Sequence, residues 1–354
     1  MPMPDRPLIS REKDITPAWL AESLHSAGFD GVVVRSVGVE PYRTKPYSSL
    51  YRLAVTYAGH PGLPERLMLK LARPDATNAT ARRRRRKEYA YYTTIAGAME
   101  PAISPAVLAA ACSDDARTGF LLMEDLSGSH DRPPRGLPPT PAQARLAIPA
   151  FGGLHAAWWN HPELRQTVDL RDADYIARRD DDARSAASSL LDRFGPYLDE
   201  RIRHVVNSYA NHAAALTSRA LEGPVSAIHG DAHPWNVLTP RDETGPALLI
   251  DWEAWTVDSP AMDVASFIVL RFDTGLRRRL EADLLGGWHA SISAGGVDGY
   301  GRDDLFDDYR RAIVRRVSMP LARAQRDEEP DAWFPILSRL AMAWDDLACD
   351  EVLP

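Results

Sequence analysis

Asp231, Asn236 and Asp251 are the residues whose types and spacing point most directly to chemistry. Two carboxylates and an amide oxygen are hard ligands of the kind Mg²⁺ takes. A carboxylate left off the metal can accept a proton from a hydroxyl. That division of labour suits phosphoryl transfer, where positioning and charge stabilisation do most of the work. Short strands must bring the three together. Val225 to Ile228 reads as an apolar strand delivering His229-Gly230-Asp231 into a polar loop, and Val237 to Thr239 as a second strand. Pro240 to Gly245 is a turn-rich run, and Ala247 to Ile250 is a third strand ending at Asp251. Antiparallel pairing of the last two strands would set their outer ends about 5 Å apart. Asn236 would then lie beside Asp251, with Asp231 facing both from the loop.

Upstream, residues 15–28 have helical spacing at Trp19, Leu20 and Leu24. Strands follow at Val32 to Val39, Leu50 to Tyr57 and Leu67 to Ala72, with a polar turn from Arg43 to Ser49 between the first two. Three strands before any long helix point to an antiparallel sheet rather than a Rossmann unit. On the third, Leu67, Leu69 and Leu71 alternate with Met68, Lys70 and Ala72, so Lys70 interrupts an apolar face. It is either a snorkelling surface lysine or a lysine held inward by a carboxylate. The next helix, about Thr77 to Met99, offers that carboxylate. Glu88, Tyr92, Ile95 and Met99 share its inward face, and a Lys70–Glu88 ion pair is the natural arrangement. The preceding Arg82 to Lys87 run wraps all round the helix without aromatic interleaving. It reads as a solvated face, with phosphate steering as the alternative, and not as a nucleic-acid patch. Phe120 to Met123 is an apolar strand running into Glu124-Asp125-Leu126.

Five prolines between residues 131 and 141 mark an extended connector. Helices are expected from Gln143 to Trp159 despite Pro149, from Ala173 to Tyr197, and from Glu200 to Leu221. Further helices run over Leu276 to Ser293, Asp303 to Arg323 and Ala332 to Leu353. His155 and Trp159 read as packing residues. Asp258 is placed to cap a helix with Pro260 in its first turn. Asp263 reads as a first-turn carboxylate near the helix dipole.

Composition sets the class. A chain of 354 residues with 45% hydrophobic and 26% charged residues is an ordinary globular enzyme with ample core. No apolar run approaches the roughly 20 residues needed to span a bilayer. Met1 to Asp5 has no apolar signal core, so the cytoplasm is the expected compartment. Cys112 and Cys349 are far apart and read as free thiols. The net charge of -7 is uneven: residues 1–125 carry 17 Lys+Arg against 14 Asp+Glu, and the rest 25 against 35. A mildly basic front suits a polyphosphate, and an acidic back suits a polar or cationic acceptor. Trp333, Phe334 and Trp344 pull the other way, toward an apolar acceptor surface.

Asp231 followed five residues later by Asn236 has the catalytic-loop spacing of protein kinases, with His229-Gly230-Asp231 in place of His-Arg-Asp. With Lys70, Glu88, Met123-Glu124 and Asp251 in that order, the chain resembles the aminoglycoside phosphotransferase and choline-kinase-like superfamily. Its tail, Trp344-Asp345-Asp346-Leu347 and Glu351-Val352-Leu353, leans toward the ecdysteroid-kinase-like branch. The resemblance implies a bilobal, protein-kinase-like α+β fold. A nucleotide-binding lobe would span 1–125 and a mainly helical catalytic and acceptor-binding lobe 126–354. It implies ATP and Mg²⁺ as cofactors, a small-molecule hydroxyl acceptor, no nucleic acid or membrane partner, and a monomer or homodimer. Lys70, held by Glu88, would contact the nucleotide phosphates. Ser48 and Ser49, in a glycine-free loop with Tyr47, would cradle them, and the hinge at Met123, Glu124 and Leu126 would meet the adenine edge. Asp231 would receive the acceptor's proton, while Asn236 and Asp251 would hold Mg²⁺. His229 and Asp263 would organise the loop, and His233 is either structural or lines the acceptor site. Across the superfamily the acceptors range over antibiotics, sugars, amino alcohols and steroid-like alcohols.

Two other readings compete. Asp231-x-His233 also resembles the first metal motif of binuclear metallophosphoesterases, but the only later histidine, His289, has no such motif around it. A pseudokinase that binds nucleotide without turnover would be expected to have lost Lys70, Asp231 or Asp251, and all three are present.

Overall fold

The structure is a computed structural model that describes residues 7–59, 62–164 and 173–354; Met1 to Asp5, read above for a signal segment, lie outside the described residues. In chain order the main elements are α1 (Pro17–His25), β1 (Val33–Thr44), β2 (Ser48–Ala58), β3 (Arg66–Ala72), α2 (Ala79–Ala90), β4 (Val107–Cys112), β5 (Gly119–Glu124) and β6 (His130–Asp131). There follow α3 (Pro141–Ala157), α4 (Ala173–Phe194), α5 (Glu200–Glu222), β7 (Ser226–Ile228), β8 (Val237–Pro240), β9 (Leu248–Leu249) and β10 (Thr256–Asp258). Helices α6 (Ala261–Val269), α7 (Thr274–Ala294), α8 (Arg302–Arg316), α9 (Ser318–Gln325) and α10 (Pro330–Asp346) complete the chain. The chain divides into two compact units. The first is Met1–Asp131 with Leu248–Ala254, and the second is Arg132–Ala247 with Trp255–Pro354.

The first unit is built on a five-stranded sheet in the order β1-β2-β3-β5-β4, antiparallel throughout. Thr16 starts α1 by accepting the Trp19 N–H at 3.1 Å, with Pro17 in the first turn. Trp19, Leu20 and Leu24 then cover one sheet face, packing with Leu67, Leu69, Leu71 and Phe120. Trp19 and Phe120 meet edge-on at 5.1 Å. Because side chains alternate along β3, Lys70 falls on the other face.

Helix α2 is shorter than its periodicity implies. Asn78 caps it through the Ala81 N–H at 2.8 Å, and regular helix ends at Ala90. Tyr91–Ile95 form a π turn and Ala96–Ala98 a 3₁₀ turn. The extra residue in the turn rotates Tyr91 inward, where its ring stacks on Trp252 with centroids 3.6 Å apart. The arginine run is only partly a solvated face. Arg84 pairs with Glu253, and Arg85 donates to the carbonyls of Ala116 and Arg117.

The second unit is helical around one short ladder, in which β7 pairs antiparallel with β10 from Thr256↔Ile228 to Asp258↔Ser226. Every residue of α6 is buried, which explains why its one carboxylate, Asp263, must be hydrogen-bonded. Gly152 of α3 lets α7 approach closely: a Cβ there would lie 2.4 Å from the Ser291 Cβ. Two sequence expectations are corrected. Asp258 does not cap α6. It is the last residue of β10 and holds the buried Arg315 guanidinium at 2.9 and 3.0 Å, a bidentate pairing that engages both carboxylate oxygens. Trp333 and Trp344 are each 1% exposed and belong to the core; only Phe334 presents apolar surface. Cys112 and Cys349 are free, as expected. Among the described residues no helix is long and apolar enough to cross a membrane.

Candidate active site

In the first unit, β3 and α2 bring Lys70 and Glu88 together as their periodicities require. Lys70 Nζ lies 2.8 Å from Glu88 Oε1 and 2.8 Å from Asp251 Oδ1, with Glu253 at 4.0 Å. Lys45 Nζ takes the other Asp251 oxygen at 2.5 Å. Three cations, Lys45, Lys70 and Arg84, thus face three carboxylates. Burial alone would push Lys70 down, but Asp251, Glu88 and Glu253 together hold its pKa above the ordinary lysine value. Burial works against the Asp251 carboxylate too, and Lys70 and Lys45 overcome it, keeping Asp251 well below the usual range. Glu88 goes the other way. Burial pushes it up, and its one close cation is shared with Asp251. Asp251 also has φ +70°, left-handed for a residue with a Cβ. Such strain costs about 1–3 kcal/mol and persists where surrounding contacts enforce it; the two lysines do so here.

These side chains fit a divalent cation. Glu88, Asp251 and Glu253 bring one carboxylate oxygen each within 4.8 Å of one another, a hard-oxygen set suited to Mg²⁺. The turn that presents Lys45 is Lys45–Tyr47. Ser48 and Ser49, expected in that loop, are already in β2, where Ser48 pairs with Ala72 and Ser49 with Leu71. Ladder pairing governs there because both serines follow a turn closed by the Lys45 N–H on the Ser48 carbonyl at 2.8 Å. Arg73 steadies the turn through the Lys45 carbonyl at 3.3 Å. Met123 and Glu124 end β5, and Leu126 opens a 3₁₀ turn capped by the Asp125 carboxylate.

In the second unit, the Asp231 loop leaves β7 through Gly230, whose φ of +78° favours a residue without a Cβ. Asp263 grips the loop from α6, accepting the His229 N–H at 2.5 Å and the Gly230 N–H at 2.9 Å. Of the two readings of Asp263, the brace is the one the geometry carries. His155 supports it: Trp288 Nε1–H donates to His155 Nδ1 at 3.0 Å, leaving Nε2–H to point at Asp263, 3.3 Å away. Burial pushes Asp263 up, yet the His155 hydrogen bond and the His229 contacts outweigh it and keep its pKa low. His229 is buried and its Nδ1 accepts the Asp231 N–H at 3.3 Å. Asn236 donates to the Asp231 carbonyl at 3.1 Å, which locks the five-residue spacing. Asp231 itself is exposed, with His233 Nε2 3.5 Å from its Oδ2.

Sequence reasoning missed Lys45, Glu253, Arg84 and His155. Glu253 was two residues from Asp251 and detectable as a second carboxylate. Lys45 lay in a polar turn whose reach cannot be read from spacing. His155 reads from the sequence as packing, and it is packed, but against the brace.

The sequence model described as phosphotransferase enzyme family matches residues 45–306. No curated protein matches the sequence. Solved structures share the fold at low identity. A choline/ethanolamine kinase family protein from Mesorhizobium loti superposes with TM-score 0.51 at 18% identity, covering 95% of this chain and 92% of that one. The GDP complex of aminoglycoside 2'-phosphotransferase-IIIa gives 0.51 at 16%, covering 94% and 99%. Plasmodium vivax ethanolamine kinase gives 0.51 at 12%, covering 88% and 81%. The lean toward the ecdysteroid-kinase-like branch finds no support among them.

Proposed function

Because the chain belongs to the phosphotransferase enzyme family, we propose that it moves the γ-phosphoryl group of ATP to a hydroxyl of a small molecule. The observation that carries the reading is the buried Lys70 shared between Glu88 and Asp251, on a strand and a helix the sequence places in that order. In this reading Lys70 binds nucleotide phosphates, with Glu88 fixing its direction. Asp251 and Glu253 would hold Mg²⁺ in the first unit. A divalent cation held there would supply positive charge to offset that of the phosphates. Asp231 orients the acceptor hydroxyl and takes its proton as the acceptor oxygen bonds to the γ-phosphorus. The bond from that phosphorus to the bridging oxygen breaks, and ADP leaves. His155, Asp263 and His229 keep the Asp231 backbone in place, so that positioning, the main contribution in phosphoryl transfer, is built in.

The test is ADP formation with ATP, Mg²⁺ and a broad panel of hydroxyl compounds, repeated with Asp231→Ala and Asp251→Asn. Asp231→Ala should lower turnover by about 10²–10⁴-fold, and Asp251→Asn should weaken the Mg²⁺ response. Unchanged turnover in both variants would sink the mechanism. Tight Mg²⁺–nucleotide binding with no acceptor turned over would favour a non-catalytic binding protein.

A further inference from the structure

The surroundings of Asp231 in the second unit are basic, although that part of the chain is acidic in composition. The His233 ring, 3.5 Å from the Asp231 carboxylate, stands 5.2 Å from the Trp235 ring. Over the same indole lies the Arg271 guanidinium, its carbon 5.2 Å from the ring centroid. Arg132 reaches the Trp235 carbonyl at 3.5 Å, and Trp235 Nε1–H is tied to the Pro134 carbonyl at 3.0 Å, which fixes the platform. Arg271 lies two residues past the end of α6, after its C-cap Leu270. Its Nε is buried and has no hydrogen-bond partner among the described residues.

The charges nearby sharpen the point. Burial makes Arg271 harder to keep charged; Asp231 opposes that, and Arg323 and Arg339 add to it. Arg339 and Arg323 are held by the carbonyls of Leu270 and Ala332 at 3.0 and 2.9 Å. Asp231 is the carboxylate that acts on Arg271, while Asp273, which acts on Arg339, caps α7 through the Leu276 N–H at 2.9 Å. Arg271 is half-buried, and no carboxylate is paired with its guanidinium among the described residues, so the charged face it lays over Trp235 is open to an anion. The planar fork of arginine matches a carboxylate or phosphate.

We propose that the acceptor carries an anionic group, a carboxylate or a phosphate, which Arg271 binds on the Trp235 face while the acceptor hydroxyl meets Asp231. The proposal rests on the kinase reading and sets the substrate class within it. A cationic amino alcohol would meet Arg271 with like charge.

The test compares matched acceptors: gluconate and glucose 6-phosphate against glucose and glucosamine, and D-glycerate and glycerol 3-phosphate against glycerol and choline. We expect kcat/KM for at least one anionic compound to exceed that of its neutral and cationic counterparts by about tenfold or more. Carboxylate and phosphate arms show which anion is used. Arg271→Gln should remove the preference by raising KM with kcat little changed, and Arg271→Lys, which keeps the charge, should retain part of it. Turnover confined to neutral or cationic acceptors, or an anion preference intact in Arg271→Gln, overturns the proposal while leaving the kinase standing. Failure to bind ATP at all overturns the kinase reading instead. If no compound is turned over, calorimetric titration of gluconate and glucose 6-phosphate into the wild type and Arg271→Lys decides. No anion binding in the wild type refutes the proposal, and binding weakened in Arg271→Lys supports it.

Discussion

Replacing Lys70 with methionine leaves an unbranched apolar side chain one atom shorter and removes the ammonium with its charge and its hydrogen bonds. Lys70 is 8% exposed and Glu88 7%, and the ammonium lies 2.8 Å from Glu88 and 2.8 Å from Asp251. Breaking a buried pair by removing one partner costs about 3–5 kcal/mol, mostly because a charge is stranded. Asp251 keeps Lys45, so the stranded charge is that of Glu88. Glu88 already has a raised pKa, and without Lys70 it rises further. A raised carboxyl pKa in the folded state means the folded protein binds the proton more readily than the unfolded chain. The Lys70→Met protein is therefore relieved as pH falls toward the unfolded value, about 4.3, and suffers most once pH exceeds the folded pKa. We expect a loss of about 3 kcal/mol at pH 8, shrinking toward pH 5. Adding Glu88→Gln should restore about 1–3 kcal/mol at pH 8. Urea denaturation of the four proteins of this cycle at both pH values measures it, with constant slope as the check on the unfolded state. A loss below about 1 kcal/mol at pH 8, or additive effects of the two substitutions, would refute the stranded-charge argument.

Two further outcomes follow from the second unit. Asp263→Asn should cost about 2–3 kcal/mol, because a neutral amide replaces a carboxylate accepting two backbone N–H groups. The low pKa of Asp263 means its contribution is present above about pH 4 and is lost as pH falls through the lower folded value, so the difference between the two proteins should narrow in acid. A pH-independent difference would count against the brace. Gly152→Ala should cost about 1–3 kcal/mol through overpacking against Ser291. Ser291→Gly in the same chain should recover most of it in thermal unfolding, and additivity would show that the close approach is relieved some other way.

Periodicity alone located the elements that matter most. Alternation along Leu67 to Ala72 put Lys70 opposite the α1-facing leucines, and helical spacing turned Glu88 inward toward it. Both are local consequences of a 2-residue and a 3.6-residue repeat. Where one long helix was expected over Thr77 to Met99, a π turn intervenes, because stacking of Tyr91 on Trp252 is a contact between residues far apart in sequence. The serine loop was misplaced for a related reason: ladder pairing with β3, not local turn composition, decides where β2 begins.

By itself the sequence determined the family and the order of its polar residues: a lysine, a glutamate and a loop aspartate followed by an asparagine, at spacings that local geometry preserves. Only the tertiary structure decided which charges meet. Lys45 on Asp251, Arg84 on Glu253, Arg315 on Asp258, His155 behind Asp263 and Arg271 over Trp235 all join residues distant in the chain. Spacing within a strand or helix dictates direction, but the partner of a buried charge is set by which surfaces the core brings together, and burial then makes that choice energetically decisive.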